Sequence, residues 1–292
     1  MQILITGGTG FIGQRLCERL LDAGHQLTVL TRHPGKGPQA QVQYVGQLGD
    51  VGPVQAVVNL AGEPLAEGRW TPARKQVFLE SRIGTTEALL AWMRHLPTRP
   101  QVLVSGSAIG YYGPRDATPL DETASPGHDF AAMLCRNWEA EALKAEDLGV
   151  RTCLLRTGIV LDRDGGALAR MLPPFRMGAG GPMGDGTQWM SWIHRDDLVG
   201  IILWMLADPE LRGACNGTAP APVTNAQFAR TLADALGRPA WLRTPAFALK
   251  LAFGEMAGLL LTGQNVVPAR ALQEGYRFQY PTLDKALDAI LR

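Results

Sequence analysis

The octapeptide TGGTGFIG, residues 6–13, constrains this chain more than any other stretch of it. It follows a short apolar run, QILIT, and opens a segment with helical periodicity at residues 11–23. Gly8, Gly10 and Gly13 satisfy G-x-G-x-x-G, and Gly7 adds a second, overlapping spacing. Between a strand and a helix each glycine has a mechanical task. One makes the tight turn, one lets the backbone approach a pyrophosphate, and one lets helix and strand close together. The helix start then presents unpaired N–H groups and the positive end of its dipole to the phosphates. The loop predicts a dinucleotide-binding α/β fold.

The pattern downstream agrees. Nearly continuous apolar runs at residues 2–6, 25–31, 42–46, 56–62, 101–107 and 150–158 predict strands covered on both faces. Helical patterns at 11–23, 72–93 and 130–148 lie between them, as in a parallel sheet with crossover helices. The expected fold is α/β, a Rossmann-type doubly wound parallel sheet with a smaller α+β substrate-side and C-terminal region. Residues 1–160, completed by about 195–217, would form the dinucleotide-binding domain, and 161–194 with 218–292 the rest. Residues 162–192, rich in Gly and Pro, predict mainly loop. Helices are expected again at 196–206, 225–236 and 283–291.

Composition narrows the function. A formal charge of +1 gives no footprint for nucleic acid or an anionic membrane. The longest apolar runs, 201–207 and 256–261, fall far short of the ~20 residues that span a bilayer. MQILITGG enters the first strand directly, with no leader pattern. Four scattered cysteines, Cys17, Cys135, Cys153 and Cys215, predict free thiols and no metal site. The expectation is a soluble, cytoplasmic protein acting on a small molecule.

The second strand selects the cofactor. NAD binders end it with an acid that grips the ribose 2′-hydroxyl. Here it ends Leu30-Thr31-Arg32-His33, without an acid. Arg32 could instead take a 2′-phosphate through charge-assisted bonds worth roughly 1.5–3 kcal/mol. NADP is therefore expected in preference to NAD.

With TGGTGFIG, NLAG at 59–62, SGSAIGYYG at 105–113 and WIHRDD at 192–197, the chain resembles the extended short-chain dehydrogenase/reductases. GEPLAEGRW at 62–70, ESRIGTTEAL at 80–89, LLRTGIVL at 154–161, MLPPFRMGAGGPMGDG at 171–186 and GQNVVP at 263–268 resemble one atypical branch, the YfcH-like epimerase-family proteins. The resemblance implies a Rossmann domain with NADP and a small C-terminal domain. It places Gly7, Thr9, Gly10, Phe11, Ile12 and Gly13 in the phosphate loop, and Arg32 and His33 at the adenosine phosphate. Asn59, Leu60 and Ala61 would line the adenine and ribose side, with Arg82 touching the cofactor. Gly158 and Ile159 would meet the nicotinamide. A homodimer through sheet-flanking helices is compatible with such a fold.

One part of the usual machinery is absent. Standard members carry a Tyr that moves the proton and a Lys four residues on, on the same helical face, that lowers its pKa. Anchored on Glu139, those positions hold Ala131 and Cys135. Ser107 matches the residue that hydrogen-bonds a reacting carbonyl, and Tyr111 and Tyr112 follow in the same loop as alternative proton donors. Glu63, Arg69 and Trp70 follow NLAG and are candidate substrate contacts. His194 is expected to be structural, with Asp196 as the cap of the following helix. Asp121 and Glu122 are expected to be solvated, and Trp138 and Trp192 to be core. Two functions fit: an NADP(H)-dependent oxidoreductase or nucleotide-sugar-epimerase-like enzyme with a non-standard proton donor, or a non-catalytic NADP(H)-binding redox sensor or scaffold.

Overall fold

A computed structural model describes residues 1–292, apart from the side chain of Lys36. The first half runs β1 (Gln2–Thr6), α1 (Phe11–Asp22), β2 (Gln26–Leu30), β3 (Gln43–Val45), β4 (Ala56–Asn59), α2 (Pro72–Leu79), α3 (Thr85–His95), β5 (Val102–Ala108) and α4 (Phe130–Leu143). Then come β6 (Arg151–Thr157), β7 (Ile159–Asp162), α5 (Gly166–Arg176), β8 (Trp189–Met190), β9 (Trp192–His194), α6 (Arg195–Ala207) and β10 (Gly213–Gly217). The chain ends with β11 (Val223–Thr224), α7 (Asn225–Leu236), α8 (Ala246–Phe253), α9 (Gly258–Leu261), α10 (Ala269–Gln273) and α11 (Leu283–Leu291).

Seven strands form one sheet in the order β10-β6-β5-β4-β1-β2-β3. Every pairing in it is parallel. Strand alternation divides the core. Ile3 and Ile5 of β1 turn to α1 and α6, joining Leu16, Leu20 and Ile201. Leu4 turns to the other face, with Leu89 and Met93 of α3 and Ala142 of α4. Covering both faces is why these strands read as unbroken apolar runs.

A second core lies off the sheet. Leu168, Leu172 and Phe175 of α5 meet Trp192, Phe228 and Leu232 of α7, and Leu283 and Leu287 of α11. It corrects the expectation of loop at 162–192, since α5 occupies eleven of those residues. Pro173 and Pro174 stand inside this helix, where each removes an N–H donor. Burial of Leu168, Leu172 and Phe175 on one helical face outweighs that loss.

The helix expected over 72–93 is also subdivided: α2 and α3 are joined by a π-helical turn, Glu80–Gly84. Such turns shift the helical face and re-aim side chains. Among the described residues no helix is long and apolar enough to cross a membrane. All four cysteines are buried and unpaired.

Candidate cofactor and substrate site

The ends of β1, β2 and β4 open onto a cleft of ≈ 510 Å³. It is lined by Thr6, Gly7, Thr9, Gly10, Leu30, Thr31, Arg32, Leu60 and Ala61, together with Gly62, Glu63, Ser81 and Thr85. The loop that floors it is held by close backbone approach. Gly7 has φ +69°, and a Cβ there would come within 2.6 Å of the Leu60 carbonyl oxygen. A Cβ on Gly13 would stand 2.1 Å from the Gly7 carbonyl oxygen. Gly10 caps α1 without any side-chain bond, and the first turn carries no acid. Its N–H groups therefore face the cleft with no protein anion to satisfy them, which suits a pyrophosphate.

The expected cofactor residues divide by position. Gly7, Thr9, Gly10, Arg32, Leu60 and Ala61 share the cleft wall. Asn59 lies beneath it, fully buried. There its amide oxygen accepts from Thr6 Oγ1 at 2.5 Å and its amide nitrogen donates to Thr86 Oγ1 at 3.0 Å. Thr6 Oγ1 in turn accepts from the Ala61 N–H, so this network sets the cleft loop. Ile12 belongs to the α1 core. Phe11 packs against the sheet core, and Gly165 and Gly166 at the start of α5 lie against its ring. His33 is exposed just outside the lining.

Arg32 is 85% exposed at its side chain and forms an ion pair with Glu63 at 3.3 Å. Arg74 meets the other oxygen of Glu63 at 3.5 Å. Glu63 thus sits between two cations at the adenosine end. Arg82 donates to the Glu63 carbonyl at 3.0 Å and lies 5.4 Å from the Trp138 ring. Ser81, Thr85 and Glu63 were not read as cofactor-cleft residues from the sequence. Ser81 and Thr85 reach the cleft from the π turn and the residue after it, which no local pattern announces, and Glu63 reaches it from the loop after β4, where its N–H donates to Ser81 Oγ at 3.1 Å.

A buried polar network joins β5, α4 and β6. Ser107 and Arg156 are register partners on β5 and β6. Ser107 Oγ donates to Glu139 Oε1 at 2.6 Å, and Arg156 grips both Glu139 oxygens at 2.8 Å. Arg156 also donates to the Tyr112 hydroxyl at 3.0 Å, and that hydroxyl donates to Asn216 at 2.7 Å. The guanidinium carbon stands 3.5 Å from the centre of the Tyr111 ring. Burial pushes the Tyr112 hydroxyl up to about 12 despite Arg156 beside it.

Ala131 and Cys135 are both buried under the Ile109–Tyr112 turn. A Cβ at Gly110 would lie 3.4 Å from Ala131 Cβ and 3.8 Å from Cys135 Sγ. The space of a Tyr–Lys pair is filled by main chain. Gly158 and Ile159 follow β6, where Ile159 pairs with Trp192.

Three further expectations are corrected. Glu122 is not solvated: its carboxylate accepts from the Asn216 N–H at 2.9 Å and the Arg270 N–H at 3.2 Å. His194, not Asp196, caps α6, its Nδ1 accepting from the Asp196 N–H at 3.0 Å. Asp196 instead binds Arg15 at 2.6 Å. Arg69 donates to the Leu251 and Ala252 carbonyls at the end of α8. Trp70 donates to the Leu65 carbonyl at 2.8 Å and meets Phe78 and Phe130 edge-on. Both hold the loop to the body of the protein.

The description "NAD dependent epimerase/dehydratase family" matches residues 3–215, and a domain of unknown function, DUF1731, matches 244–290. The chain belongs to the NAD-dependent epimerase/dehydratase family. Within that family it is similar to the epimerase family proteins named SDR39U1. The chloroplastic homolog from Arabidopsis thaliana is 44% identical, over 100% of this chain and 87% of that protein. The crystal structure of human SDR39U1 with NADPH superposes with a TM-score of 0.92 at 38% identity, covering 99% of both chains. UDP-glucuronic acid 4-epimerase from Bacillus cereus, solved with UDP-glucuronic acid and NAD, gives 0.77 at 18% identity, covering 99% of this chain and 98% of that one. At that identity it shares the epimerase-family fold. Among the described residues no cluster of ligating side chains could hold a metal.

Proposed function

We propose that the chain is an NADP(H)-dependent oxidoreductase of the epimerase-like kind whose proton donor is not a Tyr–Lys pair. The observation that carries this reading is a two-part site joined by one helix. The start of α5 lies on Phe11 of the phosphate loop, and its following turns wall a separate cavity of ≈ 420 Å³. An apolar cavity separate from the cofactor cleft gives the protein room for a substrate as well as the dinucleotide. The human relative solved with NADPH supports the choice of cofactor.

Bound NADP(H) supplies or accepts the hydride. The chain's own residues do the remaining work. Loop N–H groups of the first turn of α1 hold the pyrophosphate, Leu30 and Leu60 give apolar walls to the adenosine, and Arg32 takes the 2′-phosphate. Arg74 shares the charge of Glu63, which frees Arg32 for that role. Of the two phenols, Tyr112 is fully buried and its proton is given to Asn216. Tyr111 is half-buried beneath the Arg156 guanidinium and is the better proton donor.

Fluorescence titrations with NADPH and NADH test the cofactor. Arg32→Ala is expected to weaken NADPH about tenfold or more while leaving NADH nearly unchanged. Equal affinity of the native chain for both would remove the NADP assignment. Turnover is followed as NADPH consumption with a panel of ketones and aldehydes. Tyr111→Phe should abolish it with NADPH affinity intact.

A second reading, a non-catalytic NADP(H) sensor, is favoured by two observations. The Ile109–Tyr112 turn fills the Tyr–Lys space, and the Ser107 proton is committed to Glu139. NADPH binding with no consumption across the panel would select it.

A further inference from the structure

The cavity beside the cofactor cleft is walled by Met171 and Phe175 of α5, Phe228 of α7, Leu249 and Phe253 of α8, and Met256. Its volume, ≈ 420 Å³, suits one drug-sized molecule. The two long polar side chains in its wall, Asn225 and Arg170, are already engaged. Asn225 accepts from the Met183 N–H at 2.8 Å and turns its amide nitrogen to the Met190 sulfur at 3.2 Å. Arg170 donates to the Ala66 carbonyl at 2.8 Å and to Glu67 at 2.5 Å.

A nucleoside diphosphate carries at least two negative charges, and burying them demands cations or aimed N–H groups. Arg170, the cation in this wall, lies at its exposed rim paired with Glu67 and brings a single positive charge where a diphosphate needs at least two. Methionines meanwhile give a soft wall that adapts to irregular apolar shapes. We infer that the substrate's bulk is an uncharged apolar moiety, a ring system or branched chain, that fills this cavity in place of a nucleoside diphosphate. The substrate would carry its reacting carbonyl or hydroxyl out of this cavity toward Tyr111 and the Gly158–Ile159 end of β6, where the nicotinamide is expected. The assignment rests on the oxidoreductase reading above and names the substrate class for it.

The probe is Nile red, an uncharged fluorophore, titrated into the full chain with and without saturating NADPH. Binding should occur in both conditions, and excess UDP-glucose should not displace it. Ala229→Phe fills the cavity from α7, and Ala179→Phe obstructs it from an exposed position on its wall. Each should weaken Nile red about tenfold while NADPH affinity stays at the native value, which also reports that the variant is folded.

Phe247 and Leu251 lie on the exposed side of α8, at 73% and 74% exposure, and offer a competing apolar surface. The double variant Phe247→Ser, Leu251→Ser should leave probe affinity unchanged. Loss of binding in that variant, displacement by UDP-glucose, or native affinity in both cavity variants would overturn the assignment. Because NADPH is titrated on the same samples, failure to bind cofactor would defeat the oxidoreductase reading alone. Intact cofactor binding without probe binding would defeat the apolar assignment alone.

Discussion

Glu139 is the residue on which the centre of the molecule turns. Its carboxylate is 6% exposed and accepts from Ser107 and twice from Arg156, itself 5% exposed. Removing one partner of such a pair leaves the other charge buried and uncompensated, at a cost of about 3–5 kcal/mol. Glu139→Gln should lose that amount in urea unfolding, and a loss under 1 kcal/mol would show the pair to be incidental. Glu139 also fixes the chemistry of Ser107. A hydroxyl that gives its proton to a carboxylate can only accept from a substrate, so it suits an alcohol better than a developing oxyanion. At this scale the sequence was uneven in what it disclosed. Gly7, Gly10 and Gly13 were legible because the loop's constraint is local and only glycine meets it. Arg156 was passed over although it is a cation set deep in an apolar strand, VRTCLLRT, well past Arg151 at the strand's start, which is the signal that could have found it. Its partners lie 17 and 44 residues away in the chain and meet only in the fold.

Elements were read well where periodicity was strong and poorly where breakers intervened. Six of the seven sheet strands, all but β10, and the helices at 11–23 and 225–236 follow from uninterrupted patterns. Helix α5 was hidden by two glycines at its start and two prolines within it, although three apolar residues at helical spacing hold it in the second core. Helix α6 shows a cap the sequence did not suggest. The His194 ring accepts from the Asp196 N–H and stacks 3.9 Å from Tyr280, which requires a neutral, unprotonated Nδ1. Burial lowers its pKa below the ordinary 6.5, and Arg195 and Arg15 act in the same direction against Asp196 and Asp162. The unfolded chain therefore takes up this proton first as pH falls. The stability due to His194 is complete above about pH 6.5 and is lost as pH falls through the folded-state value. His25 is shifted the same way and contributes to the same slope. Asn caps a helix without titrating. His194→Asn should therefore hold most of its stability at pH 8 and show a shallower loss of Tm between pH 7 and 5. An unchanged slope would assign the acid sensitivity elsewhere.

In the molecule as a whole, one loop is among the segments that bridge the sheet core and the second core. From residues 63–75 the chain reaches across to the substrate side at three points. Arg69 donates to the end of α8, Lys75 meets Glu255 at 2.7 Å, and Glu67 meets Arg170 on α5. The same segment carries Glu63, which faces Arg32 across the cofactor cleft. One segment therefore borders both the cofactor cleft, through Glu63, and the apolar cavity, through Ala66, and its reach to the substrate side is held by exposed polar contacts. Exposed contacts of this kind are individually weak, so the loop should open locally without unfolding either core. Arg69→Ala removes the bonds to α8 and should cost about 1 kcal/mol of local closure, roughly a fivefold rise in the open population. Limited proteolysis should show cleavage within residues 240–260 accelerated by about that factor, with the thermal midpoint nearly unchanged. Saturating NADPH should slow the cleavage if the 2′-phosphate draws Arg32 from Glu63 and the loop settles on the cofactor. Cleavage insensitive to both the substitution and NADPH would mean that the two parts of the site are fixed independently, and that substrate access does not depend on this loop.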